Sequence, residues 1–222
     1  MRLRHRAESV PRQAAQDPQL KLRAAQLYVI TPDAMPARVL EIAAAAVRGG
    51  ADVVQLRHKA LARGDLLALA RELRKVIRPA LFIVNDHVDI ALLSEADGVH
   101  LGPDDLSIDS ARRVAGDRLL IGASASTAHA ARKAVEEGAD YVGSGATFAT
   151  PIKSEKRVIG PKGVAEVAAA VTVPVFAIGG VEESNVAQLT AVGMRRVCVI
   201  RAVADATDPE QATRRLRAML DA

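Results

Sequence analysis

Short runs of β-branched and aliphatic residues alternate along the chain with Ala- and Leu-rich segments whose apolar positions recur at helical spacing. Strands are predicted to begin near Leu27, Val53, Leu81, Asp97, Leu119, Tyr141, Val173 and Arg196. The helical period predicts helices near 36–49, 63–77, 86–95, 108–116, 127–137, 161–170, 183–192 and 208–220. Eight strand–helix pairs within 222 residues exceed what a doubly wound sheet usually needs and equal the count of a closed (β/α)8 TIM barrel. The junctions repeat too: Gly50-Ala51-Asp52, Ala96-Asp97-Gly98 and Gly138-Ala139-Asp140 each lead into a strand, and Gly193-Met194 precedes the last one. Glycine at a helix end takes the left-handed conformation that closes the helix and returns the chain to the next parallel strand. An open dinucleotide-binding sheet would want a GxGxxG loop after its first strand; here that strand ends Thr31-Pro32-Asp33.

Composition narrows the chemistry. Half of the residues are hydrophobic, yet the aromatic ones are only Tyr28, Phe82, Tyr141, Phe148 and Phe176. The core is therefore aliphatic, and a base-stacking surface for single-stranded nucleic acid has little material. Residues 1–24 hold Arg2, Arg4, Arg6, Arg12, Lys21 and Arg23 against Glu8 and Asp17, a net +4 that equals the charge of the whole chain. Residues 25–222 are thus formally neutral, and the high pI belongs to a basic, flexible N-terminal extension ahead of a single barrel domain. One cysteine, Cys198 in the apolar run Val197-Cys198-Val199-Ile200, excludes an intrachain disulfide and reads as a buried small side chain. No stretch is apolar enough to cross a bilayer, and a cytoplasmic enzyme is expected.

In a barrel of this kind substrates meet the C-terminal ends of the strands, so those ends hold the candidates. After the second strand, alternation puts Gln55, Arg57 and Lys59 on one face, an amide and two cations suited to a phosphorylated anion. The third strand ends Asn85-Asp86. Asp86 and either Asp104 or Asp105 after the fourth can converge on a hard divalent cation such as Mg2+. His100 reads equally as a ligand, a proton donor or a satisfied polar residue near the core. Ser124 follows the fifth strand without a neighbouring base or GxSxG elbow, so it reads as a hydrogen-bonding group rather than a nucleophile. Thr150 and Lys153, in the long loop after the sixth strand, are placed to close over an anion. Gly179-Gly180 and Ile200-Arg201 end the last two strands, where such barrels usually cradle a phosphate.

In register, these pieces resemble the thiamine-phosphate synthase family over roughly residues 27–219. The matching segments are Tyr28-Val29-Ile30-Thr31, Gln55-x-Arg57-x-Lys59, Val84-Asn85-Asp86, Ala96 to Gly102 leading to Asp105, Gly122-x-Ser124, Ala139 to Gly143, Thr150-x-x-Lys153 and Ile178-Gly179-Gly180. The resemblance implies a transferase that joins an aminopyrimidine diphosphate to a thiazole phosphate, or its carboxylated form, giving thiamine phosphate and diphosphate. It implies that Gln55, Arg57, Lys59 and Asn85 hold the pyrimidine's diphosphate, with Mg2+ at Asp86 and Asp105. It implies that Thr150 and Lys153 contact phosphate, His100 borders the pyrimidine pocket, Ser124 lies beside the departing diphosphate and Gly180 donates to the thiazole phosphate. Arg57, Lys59, Ser124 and Lys153 are then the residues expected to assist leaving-group departure. Two positions depart from the pattern: the family usually has Thr where this chain has Ile152 and commonly Ser where it has Arg201.

Two rival readings share the barrel. A thiazole tautomerase-like enzyme wants an acid–base histidine near the fifth strand end, where this chain has Ser126, and has little use for paired Asp86 and Asp105. A non-catalytic, phosphate-binding regulatory barrel is the other. The expected partners are two phosphorylated small molecules, with neither nucleic acid nor membrane; the oligomeric state, a homodimer included, is left open.

Overall fold

The computed structural model describes residues 17–150 and 157–222; Ile152 and Lys153 lie outside them, as do the first sixteen positions. Eight parallel strands close into one barrel in sequence order: β1 Leu27–Ile30, β2 Val53–Leu56, β3 Leu81–Asn85, β4 Gly98–Leu101, β5 Leu120–Ser124, β6 Tyr141–Ser144, β7 Val175–Ile178 and β8 Val197–Val199. The ring is closed by β1 lying beside β8, with Tyr28 opposite Cys198. The helices are α1 Pro18–Ala24, α2 Pro36–Arg48, α3 Arg63–Ile77, α4 Val88–Leu93, α5 Ile108–Ala115, α6 Ala128–Glu136, α7 Gly160–Ala169, α8 Val186–Thr190, α9 Arg201–Ala204 and α10 Pro209–Asp221. Among the described residues no helix is long and apolar enough to cross a membrane.

Strand alternation sorts the core into two layers. Leu27, Val29, Val54, Leu56, Phe82 and Val84 face outward and pack with the helices. Tyr28, Val53, Leu81, Ile83, Leu120, Tyr141, Phe176 and Cys198 form a separate inner cluster. Cys198 is buried there as expected, and burial pushes its thiol well above the ordinary range.

The largest difference from the sequence reading is at the start. Part of the supposed extension is α1, capped by Asp17, whose carboxylate accepts from Gln19 N at 2.9 Å. Leu22 in α1 is 1% exposed and joins the inner cluster with Leu81 and Leu120, closing the bottom of the barrel. Burying such a side chain contributes roughly 1.5–3 kcal/mol to docking this short helix, alongside buried Ala25 and the Lys21 contact to Pro79 O at 3.0 Å. The folded body therefore begins by Asp17 rather than at residue 25. Smaller shifts have local causes. The seventh strand starts at Val175 rather than Val173, because Pro174 has no N–H to give and serves only as an acceptor, for Val142 N at 2.9 Å. α4 is shorter than expected, bounded by Asp86 at φ 63° and Glu95 at φ 55°.

The repeated Asp junctions bind the bottom of the barrel. Asp52 Oδ2 accepts from Gln26 N, Leu27 N and the Arg217 guanidinium at 2.8, 2.9 and 2.7 Å. Asp97 Oδ2 accepts from Phe82 N at 2.7 Å and Arg74 at 2.8 Å. Asp140 Oδ2 accepts from Ile121 N at 2.7 Å and Arg112 at 2.8 Å. Each carboxylate thus ties the start of one strand to its neighbour and to a helix. This anchors the end opposite the functional one.

Candidate active site

A pocket of about 370 Å³ opens at the C-terminal ends of the strands. Gln55, Arg57, Asn85, His100, Ser124, Thr150, Gly180, Ile200 and Arg201 all line it, although they come from seven strand ends. Lys59 and Asp86 stand beside this lining, close along the chain to Arg57 and Asn85, and Asp105 interacts with Asp86. Lys153 is outside the described residues.

The cationic wall comes from the β2 end. Arg57 Nη1 is 3.3 Å from Asp33 Oδ2, and Asp33 Oδ1 accepts from Lys59 N at 2.6 Å. Asp33, at the end of β1, thus braces the segment that carries both cations, and no sequence pattern pointed to it. The ammonium of Lys59 meets the carboxylate of Asp86 directly. Asp86 occupies the left-handed region, at φ 63°, where Asp is among the few side-chain-bearing residues that settle readily. Its amide donates to His100 O at 2.9 Å, which pins the β3 end to β4.

Asp105 is the acid of the fourth loop that acts on Asp86, each carboxyl shifting the other's protonation, so of the two acids left open there it is Asp105 that converges. Burial acts to raise the carboxyl of Asp86. The hydrogen bond with Asp105 and the Lys59 ammonium outweigh it and hold Asp86 below the ordinary carboxylate range. Asp105 is pushed up, by burial first and then by its bond to Asp86, although Gly102 N donates to its Oδ2 at 2.7 Å. The pair therefore competes for one proton. Two oxygen donors of this kind beside an anion pocket match what Mg2+ takes from protein, with water and phosphate oxygens for the rest. Among the described residues there is no cluster of three or more His, Cys, Asp and Glu able to hold a metal, and the acid in the pocket lining itself is Glu182.

The floor differs from the sequence reading. Gln55 was expected at the mouth with Arg57 and Lys59; it lies inside the barrel, 1% exposed, and donates from Nε2 to the Tyr28 hydroxyl at 2.7 Å. From there the hydroxyls of Tyr28 and Tyr141 are 3.0 Å apart. His100 Nδ1 lies 3.2 Å from the Tyr141 hydroxyl, and His100 Nε2 lies 3.0 Å from Ser124 Oγ. A buried polar chain thus crosses the barrel from β2 through β1, β6 and β4 to the exposed Ser124 on β5. Burial is the main cause raising both phenols above their ordinary range, which keeps them protonated donors. Neither tyrosine was a sequence candidate. The available signal was a phenol at an inward position of a strand in a chain nearly without aromatics, since a buried Tyr O–H needs a partner.

The opposite wall is Gly179-Gly180 with Ile200-Arg201. Both glycines have positive φ, 99° and 64°. A Cβ on Gly180 would meet Ala149 O at 2.6 Å and Phe148 Cβ at 2.9 Å, so the loop after β6 lies directly over it. That loop is tied down by Phe148 N donating to Gly179 O at 2.9 Å, and Gly180 O in turn accepts from Asn185 Nδ2 at 2.7 Å. Arg201, whose direction the sequence left undecided, lines the pocket.

Residues 27–203 match the family model for thiamine monophosphate synthase. A thiamine-phosphate synthase of Salinibacter ruber is 45% identical over 184 residues, covering 82% of this chain and 81% of that protein. One from Methanoregula boonei is 46% identical over 196 residues, covering 86% and 91%. The solved thiamine phosphate pyrophosphorylase of Pyrococcus furiosus superposes with a TM-score of 0.82 at 36% identity, covering 92% of this chain and 98% of that one.

Proposed function

The chain belongs to the thiamine monophosphate synthase family and is a thiamine-phosphate synthase, a transferase, and from that premise we propose how its own residues carry out the coupling. The substrates are a pyrimidine diphosphate and a thiazole phosphate; the exocyclic C–O bond to diphosphate breaks and a C–N bond to the thiazole nitrogen forms. Arg57 and Lys59, with Lys153 from the loop after β6, neutralise the leaving diphosphate, while Asn85 and Ser124 donate hydrogen bonds to it. Asp86 and Asp105 would hold Mg2+, which would supply a divalent charge against the negative charge that builds on the leaving group. Lys59 then leaves Asp86 for the diphosphate. Gln55 and His100 border the pyrimidine ring, whose amino group spreads the positive charge that develops as the bond breaks. Thr150, Gly180, Ile200 and Arg201 hold the thiazole phosphate, or its carboxylated form, so that the ring nitrogen faces the reacting carbon. No protein nucleophile is required. Placement, charge and exclusion of water are the work of the site.

The convergence of nine separately encoded residues on one pocket beside a carboxylate pair supports this reading. Its test is direct. Purified protein with both substrates and Mg2+ should form thiamine phosphate and release diphosphate, with each organic partner required. Isomerisation of a thiazole carboxylate phosphate without coupling would favour a tautomerase instead.

A further inference from the structure

The floor of the pocket is a chain of five side chains, Gln55, Tyr28, Tyr141, His100 and Ser124, and the donor at its Gln55 end gives a direction to the hydrogen bonds that follow. Gln55 Nε2 can only donate, so the Tyr28 oxygen at 2.7 Å accepts. The hydrogen of Tyr28 then goes to its other neighbour, the Tyr141 oxygen at 3.0 Å. Tyr141 is left to donate onward to His100 Nδ1 at 3.2 Å. A neutral imidazole that accepts at Nδ1 carries its proton on Nε2, and that nitrogen lies 3.0 Å from Ser124 Oγ. Ser124 therefore accepts from His100 and keeps its own hydrogen for the pocket. In the reverse order Ser124 would donate to His100 and offer an incoming anion only lone pairs. The direction thus decides whether Ser124 attracts or repels a diphosphate.

We propose that Gln55, Tyr28 and Tyr141 form a one-way hydrogen-bond chain that sets the tautomer of His100 and so aims the hydroxyl hydrogen of Ser124 at the departing diphosphate. Tyr28 and Tyr141 are then positioning residues, lying beneath the pocket lining and acting through His100. The surroundings are shaped for them. A Cβ on Gly122 would sit 2.1 Å from Tyr141 Cζ and 2.4 Å from its hydroxyl oxygen, so glycine at that position is what admits the phenol to the axis. A Cβ on Gly143 would lie 3.3 Å from His100 Cε1, tight against the imidazole edge. Phe176 stands edge-on to both tyrosines, with ring centroids 5.4 and 5.9 Å away. Burial keeps both phenols protonated, so neither link of the chain is lost by ionisation at physiological pH.

The role assigned to Ser124 rests on the coupling reaction above, whereas the tautomer does not, and the experiment separates them. Nitrogen-15 spectra of histidine-labelled, full-length protein without substrates distinguish the two neutral tautomers, and a His100→Asn variant assigns the signal. Wild type is expected to show His100 with its proton on Nε2. Tyr28→Phe leaves the Tyr141–His100 contact but removes the bias on its direction, so the Nδ1–H form should appear. In Gln55→Glu the carboxylate only accepts, which should reverse the chain and move the proton to Nδ1. Losing a donor to the leaving group outright costs on the order of 10²–10³ in kcat; because Ser124 keeps its hydroxyl and loses only its orientation, Tyr28→Phe should lower kcat about tenfold. The KM for the pyrimidine diphosphate should change by less than about twofold. A proton on Nδ1 in wild type would overturn the proposal, as would Tyr28→Phe leaving both tautomer and kcat unchanged. If Tyr28→Phe does not fold, the Gln55→Glu spectrum decides. Absence of coupling in wild type would defeat the functional reading and leave the tautomer result standing.

Discussion

Gly122→Ala is the smallest change that strikes both the fold and the floor of the pocket. The added methyl carbon would stand 2.1, 2.4 and 2.4 Å from Cζ, Cε1 and the hydroxyl oxygen of Tyr141, where ordinary contact begins at 3.4 Å. The ring must withdraw by about 1 Å, in line with overpacking in other close-packed cores. It has little room: Tyr28, Phe176 and His100 surround it at centroid distances of 6.0, 5.9 and 5.5 Å. Overpacking of this kind costs about 1–3 kcal/mol. Stretching the hydrogen bonds to Tyr28 and His100 adds roughly 1 kcal/mol each. Alanine returns about 0.4–1 kcal/mol by stiffening the unfolded chain. The net expectation is a loss of about 2–4 kcal/mol, read as a fall in the urea midpoint with an unchanged slope. The cause is checked by repeating the substitution in a Tyr141→Ala background, where the ring is gone and the penalty should largely vanish. A loss below about 0.5 kcal/mol, or an equal loss in both backgrounds, would refute the reasoning.

Three further outcomes follow from other parts of the molecule. Asp97→Ala leaves the buried Phe82 amide and the Arg74 guanidinium without their shared acceptor, and should cost about 2–3 kcal/mol in urea unfolding with the pocket intact. Arg201→Ser should raise the KM for the thiazole phosphate by roughly three- to tenfold, as for one lost charge-assisted contact, and leave that for the pyrimidine unchanged. Asp105 is raised and Asp86 lowered, so above the usual carboxylate value and up to the raised value of Asp105 the pair still holds a proton that Mg2+ binding at the proposed site would have to displace. Mg2+ affinity should therefore climb as pH rises through that window, by about tenfold per pH unit at most, and fall as it drops. Calorimetry in two buffers of different ionisation heat should detect the released proton, and Asp105→Asn should abolish it.

The barrel was legible because its information is local. All eight helices predicted by period and all eight strands lie within three residues of their expected starts, since each needs only a repeat of apolar positions and a Gly-containing return. The rim was legible for the same reason: Arg57, Asn85, His100, Ser124, Gly180 and Arg201 each lie within two residues of the C-terminal end of an apolar strand. What escaped depends on contacts across the barrel. The phenols of Tyr28 and Tyr141 meet although 113 residues separate them, and nothing near either residue announces the other. Gln55 was placed at the mouth because alternation tells which face a residue takes and not how deep it sits. The junctions gave no separate role to Asp52, Asp97 and Asp140, because their partners, an amide of the preceding strand and a helix arginine, lie 15 to 165 residues away. Leu22 was lost in a segment judged by its charge, where the buried Leu22 and Ala25 and contacts to distant residues dock the helix.

The account stands most directly on one comparison: release of diphosphate by wild type, Arg57→Ala and Asp86→Ala with both substrates and Mg2+ at subsaturating concentration. Wild type should produce thiamine phosphate and diphosphate in equal amounts, while each variant, still folded by circular dichroism, should be slower by about 10²-fold or more, as for loss of a charge that stabilises the leaving group. Coupling at the wild-type rate in both variants would contradict the assignment of leaving-group stabilisation to this rim.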